Sequence, residues 1–125
     1  MKFLTPQNVI QIHYEIVAET GGLQGLRDLG LLESAVMRPQ ATFGGDDLYP
    51  MLELKAAALV HSLLLNHVFT DGNKRTATIG MVEFLILNGR KFKATNPEVV
   101  KFALWVENKK PTIKQIASWI KKHTT

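Results

Sequence analysis

Apolar residues recur at helical spacing along most of the chain. Val9, Ile12, Ile16 and Val17 trace one face of a first helix, opened by Thr5-Pro6 as cap and first-turn proline and stopped by Gly21-Gly22. Asp28 precedes a second, shorter helix with Leu32, Ala35 and Val36 on one side, ended by Pro39. Residues 39–50 hold two prolines, two glycines and two acids, which is loop chemistry. From about Met51 to Asn66 the chain is apolar nearly all round, the mark of a buried central helix. After a short connection, His67 to Gly72, another largely apolar helix runs from Asn73 to Asn88 and closes on Gly89. Residues 90–94 read as extended. Asn96-Pro97 then starts a helix with Val99, Phe102, Ala103 and Val106 inward, and Thr112 a last one with Ile113, Ile116, Trp119 and Ile120 inward. The expectation is an all-α bundle of about six helices in one domain, residues 1–125, centred on the helices either side of the 67–72 connection.

Composition changes this picture in two respects. There is no cysteine, which excludes disulfides, iron–sulfur clusters and thiol catalysis and fits a cytoplasmic setting. The start, Met-Lys-Phe-Leu-Thr-Pro, lacks the apolar core of a signal peptide, and His61, Asn66 and Glu83 interrupt the longest apolar stretches, so no membrane contact is expected. The net charge of +4 is unevenly spread: residues 1–88 carry six Lys+Arg against nine Asp+Glu, residues 89–125 nine against two. That basic third reads as a solvated face or as a docking surface for an acidic partner. Without interleaved aromatics it is a weak nucleic-acid signal.

One segment carries pointed chemistry: His67-Val-Phe-Thr-Asp-Gly-Asn-Lys-Arg75, between the two central helices. A helix N-terminus offers unpaired amides and the positive end of the helix dipole. Gly72 lets an anion approach the backbone, and Asn73, Lys74 and Arg75 add one amide and two cations, which together suit phosphate. Asp71 fits two roles, cap of the following helix or ligand to Mg²⁺ shared with phosphate oxygens. His67, at the end of the preceding helix, fits a general base for an incoming hydroxyl, or else a complement to that helix's dipole. Phe69 reads as a core plug that fixes the loop.

Other chemistries find little support. His61 reads as a hydrogen-bonded core residue, and His13 and His123 have no ligand partner at metal spacing, so none of the three is given a role. No P-loop, Rossmann glycine motif or Gly-x-Ser-x-Gly elbow occurs.

On the residues 67–75, the sequence resembles the Fic/Doc superfamily, and within it the death-on-curing (Doc) toxins of bacterial toxin–antitoxin modules. Gly21-Gly22-Leu23 and the segment from Asp28 through Ala41-Thr-Phe-Gly-Gly45 support the resemblance. The broader Fic pattern is His-Pro-Phe-x-x-Gly-Asn-Gly-Arg-x-x-Arg. Here Val68 replaces the proline, Lys74 the second glycine and Thr78 the second arginine, all Doc-type features. The resemblance implies that ATP presents its γ-phosphate to a protein hydroxyl, with translation elongation factor Tu as substrate and arrest of protein synthesis as outcome. It also implies that His67 is the base, Asp71 the Mg²⁺ ligand, Gly72 and Asn73 the anion hole, and Lys74 and Arg75 the phosphate-neutralising cations. It further implies a cognate antitoxin that folds on binding, received by the basic C-terminal third or the groove near 39–50, with nucleic acid engaged only through that complex. Two other readings stand beside it: transfer of AMP to a hydroxyl, and a non-catalytic module that binds antitoxin or nucleic acid.

Overall fold

The computed structural model describes all 125 residues. Six helices follow in order: α1 (Pro6–Thr20), α2 (Leu29–Met37), α3 (Leu52–Asn66), α4 (Asn73–Leu87), α5 (Asn96–Lys109) and α6 (Ile113–Lys122). The only strands, β1 (Thr42–Phe43) and β2 (Asp46–Asp47), form one short hairpin. The all-α expectation therefore holds, and no helix is long and apolar enough to cross a membrane.

Local chemistry explains most boundaries. Thr5, Thr95 and Thr112 each accept a hydrogen bond from the amide three residues on. The side chains of Asn8, Glu98 and Gln115 accept one in return from the cap's own amide, closing three capping boxes. Asp28 caps α2 by accepting from the Leu31 amide, and Gly89 takes a positive φ of 85° beyond α4.

α3 is the hub, packed chiefly against α4 and α6. Ala56, Ala57, Ala58, Leu59, Val60, Leu63 and Leu64 are all buried, the alanines letting neighbouring helices approach closely. The polar exceptions are paired. Glu53 meets Arg90, and Lys55 donates to the Pro39 carbonyl at 3.3 Å and to Asp47 Oδ2 at 3.2 Å.

Residues 39–50 are more ordered than loop chemistry suggested. A 3-10 turn (Arg38–Gln40) leads into the hairpin, where Gly44 and Gly45, at φ 60° and 88°, supply the left-handed turn such a short connection needs. The extended reading of 90–94 also holds: Lys91 and Thr125 exchange backbone hydrogen bonds, and Lys93 donates to the His123 carbonyl.

Candidate functional site

α3 ends at His67, which caps it in the left-handed region (φ 48°, ψ 57°), a conformation costly for a residue with a Cβ. The side chain is exposed and its ring makes no hydrogen bond to the protein, so it is not spent on satisfying helix carbonyls. Val68 and Phe69 then plunge into the core at 1% and 2% exposure, which forces the turn.

The connection is stitched to the segment before α2. The Val68 carbonyl accepts from the amides of Arg27 (2.7 Å) and Asp28 (3.2 Å), and the Thr70 amide donates to the Gly25 carbonyl at 3.0 Å. Asp71 Oδ2 accepts from the Leu23 amide at 3.1 Å. A Cβ on Gly22 would lie 3.3 Å from that oxygen, so glycine there lets the two loops close on each other.

Two readings of the motif need correction. Asp71 does not cap α4; Gly72 holds the cap position at φ 73°, and no side chain caps the helix. The Asn73 side chain does not face a ligand. Its Oδ1 accepts from the Phe69 amide (3.0 Å) and its Nδ2 donates to the Phe69 carbonyl (2.9 Å), bracing the connection. Only its backbone amide is available to an anion.

The uncapped start leaves backbone donors free. The first amide bonded within α4 is that of Thr76, donating to Gly72 at 3.0 Å, which leaves the amides of Asn73, Lys74 and Arg75 outside the helical ladder. His67, Thr70, Asp71, Gly72, Asn73, Lys74, Arg75 and Glu107 line a depression of about 390 Å³ without a hydrophobic residue. Lys74 and Arg75 are both exposed there. Lys74 Nζ stands 3.7 Å from Glu107 Oε1, and Arg75 enters no ion pair. All six predicted residues are thus brought to one place. Asp71 keeps one carboxylate oxygen uncommitted, which fits a Mg²⁺ ion that draws its other ligands from water and phosphate. Thr78, buried, donates its hydroxyl to the carbonyls of Lys74 (3.0 Å) and Arg75 (3.2 Å) and adds no charge.

The histidines denied a role have one. His13 is buried, stacks on Phe69 with centroids 3.8 Å apart, and donates from Nε2 to the Asp71 carbonyl at 2.7 Å. Its signal was a polar residue on the apolar stripe of α1, between Val9 and Ile16. His61 is half-buried rather than core. Its Nδ1 accepts from Arg38 at 2.8 Å, and burial and then the Arg38 charge hold its pKa below the usual 6.5. His123 donates from Nδ1 to the Trp119 carbonyl one turn back at 2.7 Å and meets Glu98, across the fold, at 3.2 Å. Glu107 has no signal in the motif; only the packing of α5 brings it to the site.

The fold and site together define a class: a helical bundle whose central helix–loop–helix presents an uncapped, basic helix start beside an unengaged imidazole. The profile described as the Fic/DOC family matches residues 3–85, and the chain belongs to that family. A protein of Mycolicibacterium smegmatis named Toxin Doc is 54% identical over 74 residues, 59% of this chain and 57% of that protein. A protein of Escherichia phage P1 named Protein kinase doc is 34% identical over 89 residues, 71% of this chain and 70% of that one. The chain thus matches little more than half the length of the mycobacterial relative.

Proposed function

We propose that this chain is the toxin of a toxin–antitoxin module and acts as a protein kinase, moving the γ-phosphate of ATP to a Ser or Thr hydroxyl. The observation that carries the reading is the uncapped start of α4, flanked by Lys74 and Arg75 and faced by the unbonded ring of His67. The names of the two relatives, a toxin and a protein kinase, agree with it.

In this reading His67 accepts the proton of the substrate hydroxyl as its oxygen attacks the γ-phosphorus. The bond from that phosphorus to the β–γ bridging oxygen breaks, and ADP leaves. The amides of Asn73 and Lys74, with the Lys74 and Arg75 side chains, bind the phosphates and offset the charge spread over the transferring group. Asp71 holds Mg²⁺, which when bound neutralises phosphate charge. Lys74 adds charge where the broader pattern has a glycine, and Thr78 supplies no second arginine for a further phosphate. Both differences favour γ-phosphate transfer over AMP transfer.

The protein acceptor in this proposal is elongation factor Tu. The macromolecular partner is an antitoxin that folds on binding, and nucleic acid is engaged only through that complex. The exposed lysines of the last third, or the groove between α4 and α5 lined by Ile79, Val99, Val100, Ala103 and Leu104, offer it a surface. The test supplies ATP labelled on either the α- or the γ-phosphate with elongation factor Tu as acceptor. Label is expected from the γ-phosphate alone, and label from the α-phosphate overturns the kinase reading.

A further inference from the structure

Glu107 stands in the last turns of α5, in a stretch whose only other acid is Glu98. Its Oε1 is buried and accepts no hydrogen bond. The facing cation is Lys74 Nζ at 3.7 Å, close enough for charge attraction and too far for a hydrogen bond. A buried carboxylate oxygen without a donor is a costly feature, and it sits in the wall of the phosphate depression rather than in the core.

Lys74 explains what this arrangement does. Its side chain is 57% exposed, and a free lysine of that kind spreads over many rotamers. The fixed charge of Glu107, itself only 16% exposed, biases the ammonium toward the depression. Because the pair does not close, all three ammonium N–H groups remain available to phosphate oxygens.

We infer that Glu107 is a positioning residue, which aims Lys74 at the transferring phosphate; this rests on the phosphate-site reading above. The carboxylate has two opposed effects. As a negative charge at the mouth of the site it repels a triphosphate, so it does not help ground-state binding. As an anchor for Lys74 it places a cation where charge develops, so it raises turnover. A residue needed only for folding would not separate these two quantities.

The experiment compares wild type, Glu107→Gln, Lys74→Ala and the double variant. The dissociation constant of Mg-ATP is measured by calorimetry, and kcat by γ-phosphate transfer to the protein acceptor. Glu107→Gln is expected to bind Mg-ATP at least as tightly as wild type while kcat falls about tenfold. In the Lys74→Ala background the same change is expected to leave kcat within twofold. Weaker binding by Glu107→Gln, an undiminished kcat, or an equal loss in both backgrounds overturns the positioning role. Lys74→Ala that binds Mg-ATP like wild type overturns the phosphate site itself, and the inference with it. Should Glu107→Gln fail to fold by circular dichroism, Glu107→Asp takes its place, with a kcat between those of wild type and Lys74→Ala expected and a wild-type kcat counting against the role.

Discussion

The imidazole of His13 lies flat on the ring of Phe69, the planes 6° apart, while its Nε2 holds the Asp71 carbonyl. One buried side chain of α1 therefore fixes both the core plug of the connection and the backbone next to the candidate metal ligand. His13→Ala removes the stack and leaves a buried carbonyl without its donor, a loss of about 2 kcal/mol. That corresponds to a fall of roughly 6–10 °C in Tm for a domain of this size. His13→Phe keeps the stack and loses only the hydrogen bond. It is expected to recover at least half of that Tm while ATP-dependent transfer stays below wild type. Full activity in His13→Phe would show that the Asp71 backbone needs no such tether.

Gly72 is constrained twice. Its φ of 73° disfavours any residue with a Cβ, and that Cβ would lie 3.2 Å from Val17 Cγ2 and 3.6 Å from the His13 ring. Gly72→Ala is expected to cost about 1–2 kcal/mol in urea unfolding, through the backbone and through the contact. Adding Val17→Ala relieves the contact alone, so the double variant should be more stable than the sum of the single losses allows. Strict additivity would mean that only the backbone term operates.

Helix positions and the grouping of the six motif residues at one helix start were legible because their causes are local. Thr5-Pro6, Thr112 and Gly89 act within a few residues, and the nine residues from His67 fall on one turn wherever the two helices meet. What was hidden depends on distant partners. Asp71 fitted a cap as well as a metal ligand until the Leu23 amide, 48 residues away, claimed one carboxylate oxygen and the cap position fell to Gly72. Asn73 looked like a ligand because its bonds to Phe69 exist only once the connection has turned back on itself. His13 and Glu107 lie on helices outside the motif, and no spacing rule within it points to them.

His67 separates fold from chemistry. The ring is exposed and unbonded, so His67→Ala should unfold within about 1 kcal/mol of wild type. Its strained φ of 48° goes further: His67→Gly should raise Tm slightly, since glycine adopts that region freely. Both variants are expected to lose about two to four decades of transfer rate, the usual contribution of a general base. A variant that keeps its rate while folding normally would remove His67 from the reaction.

Stability should also depend on pH through His61, away from the site. Its Nδ1 accepts a hydrogen bond from Arg38, which further donates to Ser62 Oγ at 2.9 Å and Tyr49 Oη at 3.1 Å, so the neutral ring is part of a polar cluster tying the 3-10 turn to α3. Burial first, then the guanidinium charge, hold the folded pKa below 6.5, whereas the unfolded chain takes up a proton near that value. A depressed histidine pKa means the unfolded state binds more protons in this window. The stabilisation is therefore full above pH 6.5 and is lost as pH falls through the folded value, with a slope of at most about 1.4 kcal/mol per pH unit. Tm of the wild type should drop between pH 7 and 5. In His61→Gln, whose amide oxygen can accept from Arg38 but takes up no proton, that part of the slope should disappear. A further acid loss, from Glu53, should persist in both proteins: burial raises its pKa, but its own backbone hydrogen bond and Arg90 outweigh that and hold it below the ordinary 4.5. Parallel profiles for the two proteins between pH 7 and 5 would assign the drop to other groups.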